Sequence, residues 1–233
     1  MKTHPVQFNG FYTSEKELEA GPGDYGRVEN ESARVDVSTV SYIELVKSLD
    51  KKDLIIVDFG GGQGGHYFTL KENTDKNLKY HIVETPESFI EINSDVKYYK
   101  SIEEVKEENI DILYSNGTIN LTKGISCIDH IHKFCKLKPQ YIFLQRAMVS
   151  IGGSYEIFYT SSSQEYIGGG ITYFSITTEE NTKNICNSYG YELTYDGFPT
   201  PTKFIINNAP DDIGVVCYRN YLFKKTPWAS ING

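Results

Sequence analysis

The sequence predicts one α/β domain: a twisted, mostly parallel seven-stranded sheet with helices on both faces. Three observations carry that prediction. Apolar, strand-like runs alternate with helix-like segments from residue 51 onward, the pattern of parallel βαβ units. The run Ile55-Ile56-Val57-Asp58-Phe59 breaks into Gly60-Gly61-Gly62-Gln63-Gly64-Gly65 and opens a helix at His66, the strand–turn–helix with which such sheets cradle a ligand. Two β-rich runs close the chain and are expected to finish one edge, one of them antiparallel.

The elements follow in order. Residues 1–50 read as an N-terminal lead-in and helix, and residues 51–233 as the core of a single domain. In the lead-in, Phe8-Asn9-Gly10-Phe11-Tyr12-Thr13-Ser14 is aromatic and turn-like, Ser14 and Glu17 have capping-box spacing, and Gly21-Pro22-Gly23-Asp24 must be a loop. Val37, Val40, Ile43, Val46 and Leu49 recur at three- and four-residue spacing, which marks an amphipathic helix. Residues 54–59 form the first strand, apolar enough to be buried on both faces. A helix opens at His66, and 79–84 is the second strand. Thr85 and Pro86 suit the cap and first turn of the next helix. Residues 96–100 and 111–115 are the third and fourth strands, with Ser101 a cap before Glu103 and Glu104. Residues 119–137 read as a helix ending before Pro139, and 141–145 as the fifth strand.

Residues 147–176 are rich in Ser, Gly and Tyr without a period. They read as an extended loop or short hairpin above the sheet, serving as a lid or as a homodimer contact. Residues 178–189 are a helix stopped at Gly190, and 191–195 and 215–224 are the closing strands. The Pro-containing connection 197–214 is a hairpin turn or a longer flap.

Composition bounds the function. The chain has 233 residues, 39% hydrophobic and 13% aromatic, which is globular rather than disordered. Its net charge is −8, and no Lys/Arg run is dense enough to follow a phosphate backbone, so nucleic acid is not expected as a partner. No apolar run reaches the roughly 18 residues of a membrane span, and no signal peptide follows Met1-Lys2-Thr3-His4-Pro5, so a cytoplasmic location is expected. Cys127, Cys135, Cys186 and Cys217 show no C-x-x-C pair and no zinc-ligand spacing. They read as buried free thiols, and no metal site is expected.

The glycine run separates cofactor types by spacing. A dinucleotide site wants G-x-G-x-x-G after the strand, and a phosphate-binding P-loop wants a Lys-Ser/Thr pair. This chain has Asp58, the tighter G-x-G-x-G, and no such Lys. Glu84, at the end of the second strand, is placed to accept hydrogen bonds from a vicinal ribose diol, and its charge disfavours a 2′-phosphate. Ser101 flanks the crevice at the third strand, and Tyr114-Ser115-Asn116-Gly117 ends the fourth at the switch point, lining the site or forming an Asn-Gly turn. Gln145-Arg146 ends the fifth, with Arg146 able to hold a phosphate or carboxylate through paired hydrogen bonds. His66 is the candidate general base. Tyr12, Tyr67 and Gln145 are candidate acceptor contacts. His130 and His132, two apart on one helix, read as structural or exposed, and His81 as a satisfied core residue.

The spacing of Asp58, Gly60, Gly61, Gly62 and Gly64 resembles motif I of class I S-adenosylmethionine (SAM)-dependent methyltransferases. The longer runs Phe11-Tyr12-Thr13-Ser14, Val57 through Tyr67, His81-Ile82-Val83-Glu84-Thr85-Pro86, Tyr99 through Glu104 and Gln145-Arg146 resemble a methyltransferase family found with bacterial capsule and lipopolysaccharide biosynthesis proteins. The resemblance implies a Rossmann-like fold and SAM as cofactor, with S-adenosylhomocysteine (SAH) as product. It implies methylation of a saccharide hydroxyl, or of a phosphate- or phosphoramidate-type oxygen. Asn116-Gly117-Thr118 departs from the Ser-rich segment common in relatives, and Gln145 stands where an acid is expected. Two other readings stay open at this point: an NAD-dependent nucleotide-sugar oxidoreductase, against which the glycine spacing and the lack of a Tyr-x-x-x-Lys pair argue, and a non-catalytic SAM-binding module.

Overall fold

A computed structural model of the chain describes residues 6–8, 10–14, 37–84, 96–121, 124–163, 171–198 and 203–227. The expected caps at Ser14 and Thr85 involve segments outside these residues. The main sheet is ordered β4 (Val96–Tyr99), β3 (Asn77–Val83), β2 (Asp53–Phe59), β5 (Ile112–Asn116), β6 (Tyr141–Ile151), β11 (Val215–Lys225), β9 (Tyr191–Gly197). Strands β2 to β6 pair in parallel, and β11 runs antiparallel to both β6 and β9. All seven expected strands are present. A hairpin of β7 (Ile157–Ser163) and β8 (Ile171–Thr178) joins them, and among the described residues this sheet has nine strands.

Successive side chains of each central strand point to opposite faces, and each face has its own core. On one side, α1 (Val37–Ser48) and α2 (Gly65–Asn73) cover Leu54, Ile56, Tyr80, Ile82, Ile112, Tyr114 and Phe143. On the other, α3 (Cys127–Lys136) and α4 (Glu179–Ser188) cover Val57, Val83, Leu113, Ile142, Leu144, Tyr221 and Phe223. Tyr42, Ile43 and Val46 face the sheet from α1, whereas Val40, expected on that stripe, is 48% exposed.

Three expectations are corrected. The helix expected over 119–137 begins only at Cys127: Ser126 and Asp129 form a reciprocal capping box, while Leu121 bridges to Phe174 of β8. The described part of the segment 147–176 forms a hairpin, one of the two forms expected, but it joins the sheet instead of standing above it. β6 runs on to Ile151, and β8 pairs with it in parallel at Val149 and Ser150. Asn120 clamps this assembly, accepting from the Met148 N–H and donating to the Met148 and Ser175 carbonyls. Finally, the lead-in contributes strand β1 (Val6–Phe8), which pairs in parallel with β10 (Phe204–Ile206) of the 197–214 connection. Phe8, Phe158, Phe174, Phe204 and Ile206 build a third core around this join. All four cysteines are free and buried, and burial pushes the Cys127 thiol up to about 11.

Candidate functional site

The carboxyl ends of β2, β3, β4 and β5, with Gln145-Arg146 midway along β6, share one edge of the sheet, the place where open α/β sheets bind ligands. At the end of β2, Gly60, Gly62 and Gly64 have φ of 75°, 53° and 88°. Gly60 is required twice over, since a Cβ there would also collide with the Thr118 side chain. At Gly61 a Cβ would stand 2.6 Å from Asp58 Oδ2. Glu84 follows β3, and its Oε2 accepts from the Gly62 N–H at 3.0 Å. The acid expected at a ribose therefore lies against the glycine loop. Ser101 precedes the 3-10 turn Ile102–Glu104 without a side-chain cap to its backbone, its side chain bonding to that of Glu103.

Below the loop lies a buried polar network on the α1/α2 face. Asp58 is fully buried. Its Oδ2 accepts from the Tyr80 hydroxyl at 2.8 Å and lies 2.9 Å from His66 Nδ1. Burial, and then the Asp58 charge, hold the Tyr80 and Tyr42 hydroxyls well above the ordinary phenol range, so both stay neutral donors. His66 lies edge-on to Tyr114 with ring centroids 5.0 Å apart, and Tyr114 stacks on Tyr42 at 3.8 Å. The other ring nitrogen of His66, Nε2, lies 3.5 Å from Asn116 Nδ2. Arg146 Nε donates to Asn116 Oδ1 at 2.7 Å. The expected residues Asp58, His66, Asn116 and Arg146 thus form one connected chain from core to crevice mouth.

Arg146 reaches that mouth through an irregularity in β6. Opposite Asn220 the β6–β11 register shifts, Arg146 takes a φ of 49°, and its N–H donates to Asn220 Oδ1 at 2.8 Å. Such a bulge re-aims a side chain. The exposed guanidinium lies over Gly117, whose Cβ position is 3.6 Å from Nη2.

Two expected acceptor contacts are buried within the fold. Gln145 is fully buried, accepting from the Tyr114 hydroxyl at 2.5 Å and donating to Ser41 Oγ at 2.7 Å. It ties β6 to α1. Tyr67 is buried in the α1/α2 core, 5.4 Å ring to ring from Tyr80, with Lys71 Nζ on its hydroxyl at 3.1 Å. Tyr12, half-buried, pairs through its backbone with Tyr159 of the hairpin. His81 is a core residue whose ring nitrogens make no hydrogen bond among the described residues; Nε2 lies 3.5 Å from Glu107 Oε1, whose other oxygen pairs with Lys79. His130 is buried against Phe59 and Phe134, and His132 contacts the Tyr189 hydroxyl. Among the described residues no three His, Cys, Asp or Glu side chains gather as a metal site, and no helix is long and apolar enough to cross a membrane.

Sequence reasoning missed Tyr42, Tyr80 and Asn220, and read Tyr114 as lining the site. The two missed tyrosines carry a signal, since a tyrosine in a buried strand or helix face needs a partner for its hydroxyl. Asn220 carries a weaker one, a polar residue inside an otherwise apolar run.

Strand order, the antiparallel β11 inserted beside β6 and the glycine-lined crevice together define the Rossmann-like fold of class I methyltransferases. Solved structures agree. The N-terminal domain of EvdMO1, crystallised in the presence of SAH and D-fucose, superposes with a TM-score of 0.54 at 11% identity, covering 91% of this chain and 94% of that one. Magnesium protoporphyrin IX methyltransferase of Synechocystis PCC 6803, with bound SAM, gives 0.51 at 10% identity over 81% and 78%. A SAM-dependent methyltransferase of Clostridium acetobutylicum gives 0.50 at 12% identity over 84% and 94%. No family model and no curated protein matches the chain.

Proposed function

We propose that this chain is a SAM-dependent O-methyltransferase acting on a small saccharide-type acceptor, at a hydroxyl or a phosphate- or phosphoramidate-type oxygen, in bacterial surface-polysaccharide assembly. The observation that carries the reading is the cradle at the end of β2. Three glycines with positive φ leave room for a ligand against the main chain, and the Glu84 carboxylate lies against the same loop. Such a cradle fits SAM: the glycine loop suits the methionine part and the ribose, Glu84 the ribose hydroxyls, and Ser101 the adenine edge. When bound, SAM supplies a methyl group on a sulfonium, which passes to the acceptor oxygen as the carbon–sulfur electron pair goes to sulfur.

The chain's own residues do the rest. Catalysis is largely positioning, because the methyl group is already activated. Arg146, exposed and steadied by Asn116, suits an anionic substituent of the acceptor. His66 suits the proton of an acceptor hydroxyl. The polysaccharide setting rests on the sequence resemblance.

Calorimetric titration with SAM, SAH and NAD tests the reading. SAM and SAH are expected to bind and NAD not, and heat from NAD alone would sink it. Glu84→Ala is expected to weaken SAM binding about 10- to 100-fold, the loss of hydrogen bonds to a charged group.

A further inference from the structure

We propose that the chain carries a second small-molecule site, at the amino ends of the parallel strands, which takes a compound bearing a diphosphate group. The site lies at the opposite edge of the sheet from the glycine loop, one strand length away, roughly 20 Å at about 3.3 Å per residue. It stands whether or not the chain is a methyltransferase.

The residues that begin the strands build it. Lys51 precedes β2, Asp111 precedes β5 and Gln140 precedes β6. Lys225 ends β11, which runs antiparallel to β6 and so finishes at the same edge. The ends of α3 and α4 close the sides with Lys136, Lys138 and Tyr189. These segments surround an open cavity of about 1070 Å³. Backbone hydrogen bonds hold its floor: the Gln140 N–H donates to the Ile110 carbonyl and the Lys225 N–H to the Gln140 carbonyl, each at 2.8 Å.

Charge decides the ligand. Four lysines line the cavity against one carboxylate, Asp111, whose two oxygens already accept from Lys51 Nζ at 2.8 and 2.9 Å. The ammonium groups of Lys136, Lys138 and Lys225 have no hydrogen-bond or ion-pair partner among the described residues. The carboxyl ends of α3 and α4 meet here and bring about half a negative charge each. The three cations therefore stand about two charges in excess, in a chain whose net charge is −8. Ammonium groups are compact point charges that suit phosphate. These three come from separate segments, so they suit charge spread over more than one phosphate. Ile110, Tyr189 and Pro227 give an apolar wall for the organic part. The backbone points the same way. Lys138, one residue past the Leu137 cap of α3, has a φ of 55°, at a position where glycine is the usual residue. The helix end already has Lys133 and Lys136 in its last turn, so this third lysine is held in a strained conformation without a local need for its charge.

Titration with uridine 5′-diphosphate, followed by calorimetry and amide NMR, is the test; the uridine base avoids bringing adenine to the glycine loop. The amide signals of Lys138, Gln140 and Thr226 should shift while those of Gly62 and Gly64 stay still. Shifts at the glycine loop instead, or no heat at millimolar ligand, overturn the proposal. Lys136→Gln, Lys138→Gln and Lys225→Gln should each weaken binding about 3-fold, the worth of a part-exposed ion pair, and about 30-fold together. Lys97→Gln, on β4, removes the same charge elsewhere and should leave the affinity unchanged; an equal loss there reduces the effect to net charge and overturns the site. Lys138→Gly separates binding from folding. It should melt no lower than the wild type, because glycine suits the left-handed backbone, yet bind the diphosphate about 3-fold more weakly. A lower melting point with affinity intact makes Lys138 a structural residue and overturns its role. Inorganic pyrophosphate should bind more weakly than uridine diphosphate, since it leaves the Tyr189 wall empty; equal affinity overturns recognition of an organic part. Failure of SAM and SAH to bind the wild type would sink the functional reading and leave this site standing.

Discussion

At the scale of single residues, the site depends on backbone positions that tolerate no side chain. Gly60 combines a φ of 75° with the Thr118 side chain pressed against its Cβ position. Gly60→Ala is expected to lower stability by about 2 kcal/mol, from the left-handed backbone and the collision together. That is roughly 4–8 °C in melting temperature for a chain of this size. Gly60→Ala combined with Thr118→Ser should recover part of the loss, and a melting curve for Gly60→Ala that overlays the wild type would refute the packing. Asp58, His66 and the glycines could be placed together from the sequence because one short motif holds them, and Glu84 by its position at the end of the next strand. Gln145 and Arg146 were half legible. Their neighbourhood at a strand end could be read, but which of them turns inward is decided by the bulge opposite Asn220, 74 residues away.

At the scale of elements, the hairpin β7–β8 is part of the site's frame. It is hydrogen-bonded to the β6 extension. Asn120, on the connection that follows the Asn116-Gly117-Thr118 turn, bonds to both β6 and β8. Asn120→Ala leaves three buried backbone or side-chain bonds unmade. It should cost about 3 kcal/mol and should raise backbone exchange in β7 and β8 more than in β2 or β5. Uniform exchange in all four strands would show that Asn120 is not a clamp. The same region shows where periodicity misleads. Ile119 and Leu121 extend the apolar spacing of α3, yet they belong to the connection, and Leu121 bridges to Phe174. The Ser126–Asp129 capping box was the available sign of the true start. The β1–β10 pairing joins segments about 200 residues apart, beyond any local pattern.

At the scale of the whole molecule, two buried histidines govern acid behaviour. Burial lowers the His130 pKa from 6.5 to about 4, and lowers that of His81 as well. The unfolded chain then takes up protons first as pH falls, so stability rises with pH through this window. For His130 the difference comes to roughly 3 kcal/mol, present above pH 6.5 and lost progressively as pH falls toward 4. Glu103, Glu107 and Asp129, held low chiefly by hydrogen bonds from Lys133, Lys79 and Ser126, add losses of the same sign below the carboxylate range. Denaturant unfolding at a series of pH values checks this. His130→Phe, which suits its aromatic surroundings, should flatten the slope between pH 6.5 and 4, and an unchanged slope would place the titration elsewhere. The seven-strand alternation was readable along the chain because each strand–helix unit is local. The third core was not, because it exists only where distant segments meet.

The tyrosines around Asp58 have an optical consequence. Tyr42 and Tyr80 are fully buried, and the Asp58 charge opposes their ionisation. In an alkaline absorbance titration the surface phenols should change colour promptly and reversibly near pH 10. The pair beneath the glycine loop, together with Tyr191, Tyr218 and Tyr221, whose hydroxyls burial also raises, should stay silent until the fold opens, then appear as a delayed second step. The delay is a stopwatch on the opening of the fold, read without any label.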